Sequence, residues 1–400
     1  MIKAAKRLSF VEEYYFSRKL AEVRRLDTPD LRVINLGIGS PDLAPSSRTI
    51  KALIQSAERD DHHGYQNYKG IPALRQGIST FYSKMYNVSL DPESMILPLM
   101  GSKEGIFHIS MAFVNEGDEV LIPDPGYPTY ASATRLVGGR ILKYELNESQ
   151  GWGIDMESLS RQDLSRVKVM WVNFPHMPTG RVASVSELTA LVNLARKHEF
   201  LIVNDNPYSL ILNENPVSIL RVEGACDVAM ELNSLSKSHN MAGWRIGWVA
   251  GLKEHIDAVL TVKSNLDSGM FLSMQNAAVE ALQCEPGWFE ALNRTYLHRR
   301  KVVHQILDVL GCSYDQNQAG LFVWARTDDA IPDIESWVDQ ILLDTKVFIT
   351  PGFIFGKGGS RHVRVSLCAT QTKLEEALKR IVQWKDKVNA ENISSKISLA

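Results

Sequence analysis

The residue best placed to do covalent chemistry is a lysine among small hydroxyl side chains. The run Asn233-Ser-Leu-Ser-Lys237-Ser-His-Asn-Met-Ala-Gly-Trp-Arg245-Ile-Gly247 follows an apolar stretch and fits S-x-S-K-x(5)-G-x-R-x-G. Small neighbours leave room for an aldehyde to approach the Lys237 amine, which can condense with it to a Schiff base. Ser234 and Ser236 add hydroxyl donors and Arg245 adds a cation, a set suited to phosphate. A lone Lys-Ser pair would read as solvated loop. The complete pattern favours chemistry.

Other segments supply complementary groups. V-N-D-N-P-Y sets Asp205 and Tyr208 three residues apart at a strand end. A buried carboxylate there can keep a facing pyridine nitrogen protonated, although a lone Asp after a strand more often caps a helix. M-G-S-K-E-G-I places Gly101, Ser102 and Lys103 where a strand gives way to a helix, so that backbone N–H groups form an anion site. Late in the chain, R-H-V-R-V-S-L offers Arg361 and Arg364, either of which could hold a carboxylate bidentately. Strand alternation puts the two on opposite faces, so only one points inward. Other motifs fail. G-F-I-F-G-K-G is one residue short of a P-loop and ends on Gly358 instead of Ser or Thr; no G-x-G-x-x-G follows a strand and no H-E-x-x-H exists. His62-His63 beside Asp60-Asp61 reads as a solvated loop, and no metal is expected.

Together these motifs resemble the class I aminotransferases, fold-type-I enzymes that use pyridoxal 5′-phosphate, in the family's order from about Asn35 to Leu367. The resemblance implies that Lys237 holds the cofactor as a Schiff base, that Asp205 faces its pyridine nitrogen and that Tyr208 reaches its phenolic oxygen. It implies a phosphate site built from Gly101, Ser102, Lys103, Ser234, Ser236 and Arg245. In D-P-G-Y-P-T-Y, Tyr127 corresponds to the aromatic that stacks on the ring, and Tyr130 is expected to be packing. In Y-Q-N-Y-K-G, Tyr65 rather than Tyr68 corresponds to the tyrosine that reaches the phosphate of a neighbouring subunit, which implies a homodimer with shared sites. L-G-I-G-S-P-D and H-V-R-V-S-L correspond to the segments that hold the substrate carboxylate, through Gly39 and Arg364. N-F-P-H-M-P-T-G matches the family's turn beginning at Asn173, a further cofactor-binding residue, except that Met177 stands where an Asn usually donates to the ring oxygen. A thioether cannot donate.

The elements that must position these residues fall into two groups. From about 45 to 268, short apolar strands alternate with helical patterns. These include a helix capped by Ser46, one opened by Pro72 and a capping box at Ser184–Glu187. Buried strands separated by helices predict an α/β three-layer sandwich with a mostly parallel central sheet. Residues 269–400, with longer helices around the strands L-F-V-W-A-R, K-V-F-I-T and V-R-V-S-L, join residues 1–44 in a smaller α+β domain. An amphipathic helix is expected over Leu8–Leu26 and a frayed tail over 390–400. Phe16, Phe353 and Phe355 are candidates for an apolar substrate pocket.

With 400 residues the chain exceeds the roughly 250–300 at which one core stops growing, consistent with two domains. Its 44 basic and 46 acidic side chains leave a net charge of −2, which argues against nucleic acid or an anionic membrane as partner. No apolar run approaches the ~18 residues of a spanning helix. Glu12 and Glu13 follow the basic start too soon for a leader peptide, and the four cysteines form no C-x-x-C, so a reducing cytoplasm is expected. The expected function is ping-pong transfer of an amino group between an L-amino acid and a 2-oxo acid such as 2-oxoglutarate or pyruvate. A carbon–sulfur lyase or other elimination enzyme is the alternative on the same fold. A non-catalytic sensor would need an added DNA-binding module that is not seen.

Overall fold

The computed structural model describes residues 2–10 and 15–398. Its largest element is an eight-stranded sheet in the order Ile96–Leu99, Gly247–Gly251, Ala229–Ser234, Leu201–Asp205, Val167–Val172, Glu119–Asp124, Arg140–Asn147 and Gly153–Ile154. The five strands from Ala229–Ser234 to Arg140–Asn147 run parallel, while Gly247–Gly251 and the short Gly153–Ile154 are antiparallel to their neighbours. Parallel neighbours need crossovers. Helix Val185–His198 provides one, begun by the expected capping box, in which Ser184 and Glu187 satisfy each other's backbone N–H.

Alternate residues of the strands face opposite layers. Leu121, Met170 and Ile202 enter one core, and Val120, Val169, Trp171 and Val203 enter another. The two apolar faces are why helices cover both sides. A third core forms around a four-stranded antiparallel sheet of Ser313–Tyr314, Phe322–Arg326, His362–Ser366 and Thr350–Pro351. Val23, Ile34 and Leu36, from near the chain start, join this core.

Several local expectations change. The first helical turns, Lys6–Phe10, are 3₁₀, and the α-helix is described from Tyr15 to Leu26, with residues 11–14 of the expected helix outside the described ones. The run K-V-F-I-T breaks at Ile349 into Val347–Phe348, which pairs with Ile34–Asn35, and Thr350–Pro351, which pairs with the Arg364 strand. Instead of fraying after Asn389, the last helix spans Gln371–Ser398. Its sequence there contains no proline or glycine to stop it.

Candidate active site

Three neighbouring parallel strands end at one place. Asp205 and Ser234 are the last residues of their strands, and Asn173 follows the last residue of Val167–Val172. Carboxyl ends of parallel strands open a crevice in such sheets, and here it deepens into a cavity of about 410 Å³. Of the expected site residues, all but Gly101 and Tyr65 line it.

Lys237 lies within the cavity, its Nζ donating to the Gly39 carbonyl at 2.6 Å. Burial lowers its pKa, and the nearby Arg364 and Arg245 charges act the same way. That favours the neutral, nucleophilic amine. The Gly39 backbone, expected at the substrate carboxylate, therefore holds the lysine in this structure. A methyl on Gly39 would run into the Phe322 ring.

Asp205 accepts a hydrogen bond from the Tyr130 hydroxyl at 2.9 Å, while its Oδ1 is buried with no partner among the described residues. Burial pushes its pKa up to about 6 against the opposing effects of Tyr130 and Lys237. Tyr130 is thus more than packing: its ring stacks on Trp171 at 5.1 Å and aims the hydroxyl at the carboxylate. Tyr208 is half-buried, and its desolvation holds the phenol well above the ordinary value and keeps it a hydrogen-bond donor. The Asn173 amide donates to the Asp205 carbonyl and its Oδ1 accepts from the Met177 N–H at 2.8 Å. This side chain braces the two walls of the crevice.

At the opposite end, helix Ser102–Phe113 begins without a side-chain cap, so its first N–H groups remain available to an anion. Gly101 precedes it at φ +89, and a methyl there would strike the Arg245 guanidinium. Ser102, Lys103, Ser234, Ser236 and Arg245 surround this end. Beside Lys237 the lining carries three basic side chains, Lys103, Arg245 and Arg364, against the single carboxylate of Asp205 among the described residues. That balance suits a dianionic phosphate and a carboxylate together.

Arg364 is the arginine that enters. Its guanidinium lies 3.8 Å from the Phe322 ring centroid and 4.6 Å from that of Phe355, and Nη2 donates to the Gly37 carbonyl at 2.7 Å. Nη1 meets the Met177 sulfur at 3.0 Å. Arg361 sits before the strand, its guanidinium on the Ile331 and Asp328 carbonyls. Of the phenylalanines proposed for a pocket, Phe355 lines the cavity, Phe353 does not, and the Phe16 side chain lies outside the described ones. Phe322 was not anticipated. Its partner across the sheet is Ser366, a pairing set by a register that no local pattern announces.

One expected residue and one unexpected cluster lie outside this cavity. Tyr65 is 93% exposed and does not line the cavity of its own chain. Glu104, His108 and Asp267 gather closely enough to suggest a metal, but Lys263 already bonds both Asp267 oxygens at 2.6 and 2.8 Å. An ion network accounts for that cluster.

The cavity fits pyridoxal phosphate on three independent points: the orphaned Asp205 oxygen, the uncapped helix start behind a glycine, and a half-buried lysine in the same lining. Comparison with known proteins agrees. The profile described as aminotransferase class I and II matches residues 32–381. An LL-diaminopimelate aminotransferase of Dehalococcoides mccartyi is 36% identical over 392 residues, covering 96% of this chain and 99% of that protein. One from Oleidesulfovibrio alaskensis is 37% identical over 380 residues, covering 94% and 98%. Among solved structures, substrate-bound BacF from Bacillus subtilis superposes with a TM-score of 0.91 at 31% identity, covering 96% of this chain and 98% of that one. The aspartate aminotransferase of Thermus thermophilus with maleate gives 0.89 at 27% identity, covering 96% and 100%.

Proposed function

The chain belongs to the class I and II aminotransferase family, and on that premise we propose how its cavity divides the work and which donor it takes. The enzyme moves an amino group between an amino acid and a 2-oxo acid with pyridoxal 5′-phosphate as cofactor. When bound, that group supplies an electron sink for the carbanion left by removal of the α-proton. In our reading Lys237 would hold the cofactor, and its free amine would move the proton at the substrate α-carbon as general base. Its burial supports this, because a neutral amine is the form that both steps need. Asp205 would keep the pyridine nitrogen charged, Tyr208 would donate to the ring oxygen, and Tyr127 would cover the ring. The start of helix Ser102–Phe113, with Ser234, Ser236 and Arg245, would hold the phosphate.

Arg364 takes the α-carboxylate. It is the one arginine of its pair to enter the cavity, and its clamping by two phenyl rings and two acceptors holds the fork in one orientation. Tyr65, exposed and remote from its own cavity, is assigned to the phosphate of a second subunit in a homodimer. No helix among the described residues is long and apolar enough to cross a membrane, and we place the enzyme in the cytoplasm. The division into residues 45–268 and the two chain ends is part of the same proposal, supported by the separate core around the four-stranded sheet.

The donor proposed first is LL-diaminopimelate, on the strength of relatives bearing that name along nearly their whole length. Leu20, Ile38, Phe322 and Phe355 favour a second reading, a donor with an apolar or aromatic side chain. A screen of both donor classes against 2-oxoglutarate and pyruvate decides. Conversion that requires an oxo-acid acceptor supports transamination, whereas release of pyruvate and ammonia without one would show elimination. Near the phosphate, Gly101→Ala is expected to weaken cofactor binding about tenfold, since its backbone at φ +89 and ψ 155 lies in a region essentially reserved for glycine, at ~1–3 kcal/mol for an L-residue, even before the clash with Arg245. Equilibrium dialysis against pyridoxal phosphate checks this.

A further inference from the structure

Arg364 belongs to a strand whose other end is fastened to the large sheet. In the antiparallel pair, Phe322, Trp324 and Arg326 stand opposite Ser366, Arg364 and His362. Paired and alternate residues share a face, so these six side chains form one surface. One end of that surface, Phe322 and Arg364, lines the cavity. The far end meets the turn that follows strand Arg140–Asn147. There Glu148 accepts from His362 Nε2 at 3.0 Å through one oxygen and from Arg326 Nη1 at 3.1 Å through the other.

The contact continues through aromatic rings. Trp152, from the same turn, meets His362 edge-on at 5.0 Å and Trp324 at 6.0 Å. Trp324 stacks on His362 at 4.9 Å and touches Phe355 at 5.9 Å, and Phe355 covers the Arg364 guanidinium. Trp152 also adopts φ +65, a conformation that costs a bulky L-residue free energy. In that conformation its ring packs against His362 and Trp324.

We propose that Glu148 is a positioning residue for the substrate carboxylate: it pins the His362–Ser366 strand so that Arg364 is held at the cavity wall. The two bonds are not equal. Arg326 and Glu148 are partly exposed, and such a pair contributes little. His362 is 3% exposed, so its bond to Glu148 is not readily replaced by water when lost. Both neighbours present donors, and only a carboxylate offers two acceptors to them. Glutamine in its place would turn an N–H toward one donor.

The proposal rests on Arg364 binding the α-carboxylate, and the test separates the two claims. Holoenzyme is titrated with 2-methylalanine, which carries the carboxylate but no α-proton, following the cofactor absorbance. Steady-state kinetics with the best donor run alongside. Glu148→Ala is expected to raise the 2-methylalanine Kd and the donor KM about tenfold, with kcat within about twofold. The resting spectrum and cofactor Kd should stay at wild-type values, and Glu148→Gln should fall between the two proteins. If Arg364→Ala weakens 2-methylalanine while both Glu148 variants bind it normally, the pinning role is wrong. Loss of cofactor and kcat in step with KM in both variants would also overturn it, as that marks a general structural role. If Arg364→Ala itself binds 2-methylalanine normally, the carboxylate assignment fails and the pinning role fails with it.

Discussion

Lys237→Ala is expected to lower transamination by at least about 10⁴-fold, the upper end of what one positioned acid–base group contributes. The amine has no substitute nearby. Of the other basic lining residues, Arg245 and Arg364 carry guanidinium groups rather than a primary amine, and Lys103 lies at the phosphate end with Ser102. The loss falls on kcat, because Arg364 and the phosphate site still hold donor and cofactor. Mass spectrometry after borohydride reduction checks the covalent part: the wild type gains a cofactor adduct at Lys237, and the variant gains none. A variant that kept a tenth of wild-type kcat would sink the assignment of Lys237. Folding should survive, since among the described residues the Lys237 amine makes one hydrogen bond, to the Gly39 carbonyl.

Reading the sequence worked best where the chemistry lies in one short run. Ser234, Ser236, Lys237 and Arg245 come from a strand end and the loop after it, so their proximity follows from covalent connection. Asp205 and Gly101 were legible for a related reason. Each ends or follows a buried strand, and strand ends of a parallel sheet converge. Contacts between remote segments were not legible. Tyr130 follows Tyr127 by three residues and looks like helix packing, while its hydroxyl reaches a carboxylate 75 residues later. Met177 breaks the expected turn, and its sequence gives no hint that the sulfur accepts from Arg364 187 residues away. The exchange makes chemical sense afterwards. A thioether can only accept, and it sits beside a guanidinium that can only donate. Tyr208 is left as the donor assigned to the ring oxygen. Phe322, and the His362 and Arg326 side chains that meet Glu148, are placed by the register of the four-stranded sheet, and register depends on which faces bury against each other over long separations.

Asp205→Asn carries the second large effect, and its pH dependence distinguishes a cofactor-binding carboxylate from a structural one. With cofactor bound, Asp205 faces the pyridine nitrogen in our assignment, and removing one partner of a buried ion pair costs about 3–5 kcal/mol. Cofactor affinity should therefore fall roughly 10²–10³-fold, read by dialysis or fluorescence titration. Without cofactor the sign reverses. Burial raises this carboxyl from 3.8 to about 6 in the folded protein, so the folded state binds its proton more tightly than the unfolded state does. Its contribution to stability is then fully present below about pH 4 and is lost as pH rises through 6, by something of order 3 kcal/mol. Asparagine does not titrate. Apo wild type should lose stability relative to apo Asp205→Asn between pH 4 and 6 in denaturant unfolding. The holoenzyme should not show that loss, because the pyridinium charge favours the ionised carboxylate over the same range. A holoenzyme that lost stability relative to its variant between pH 4 and 6, as the apo protein does, would mean that Asp205 faces no cation.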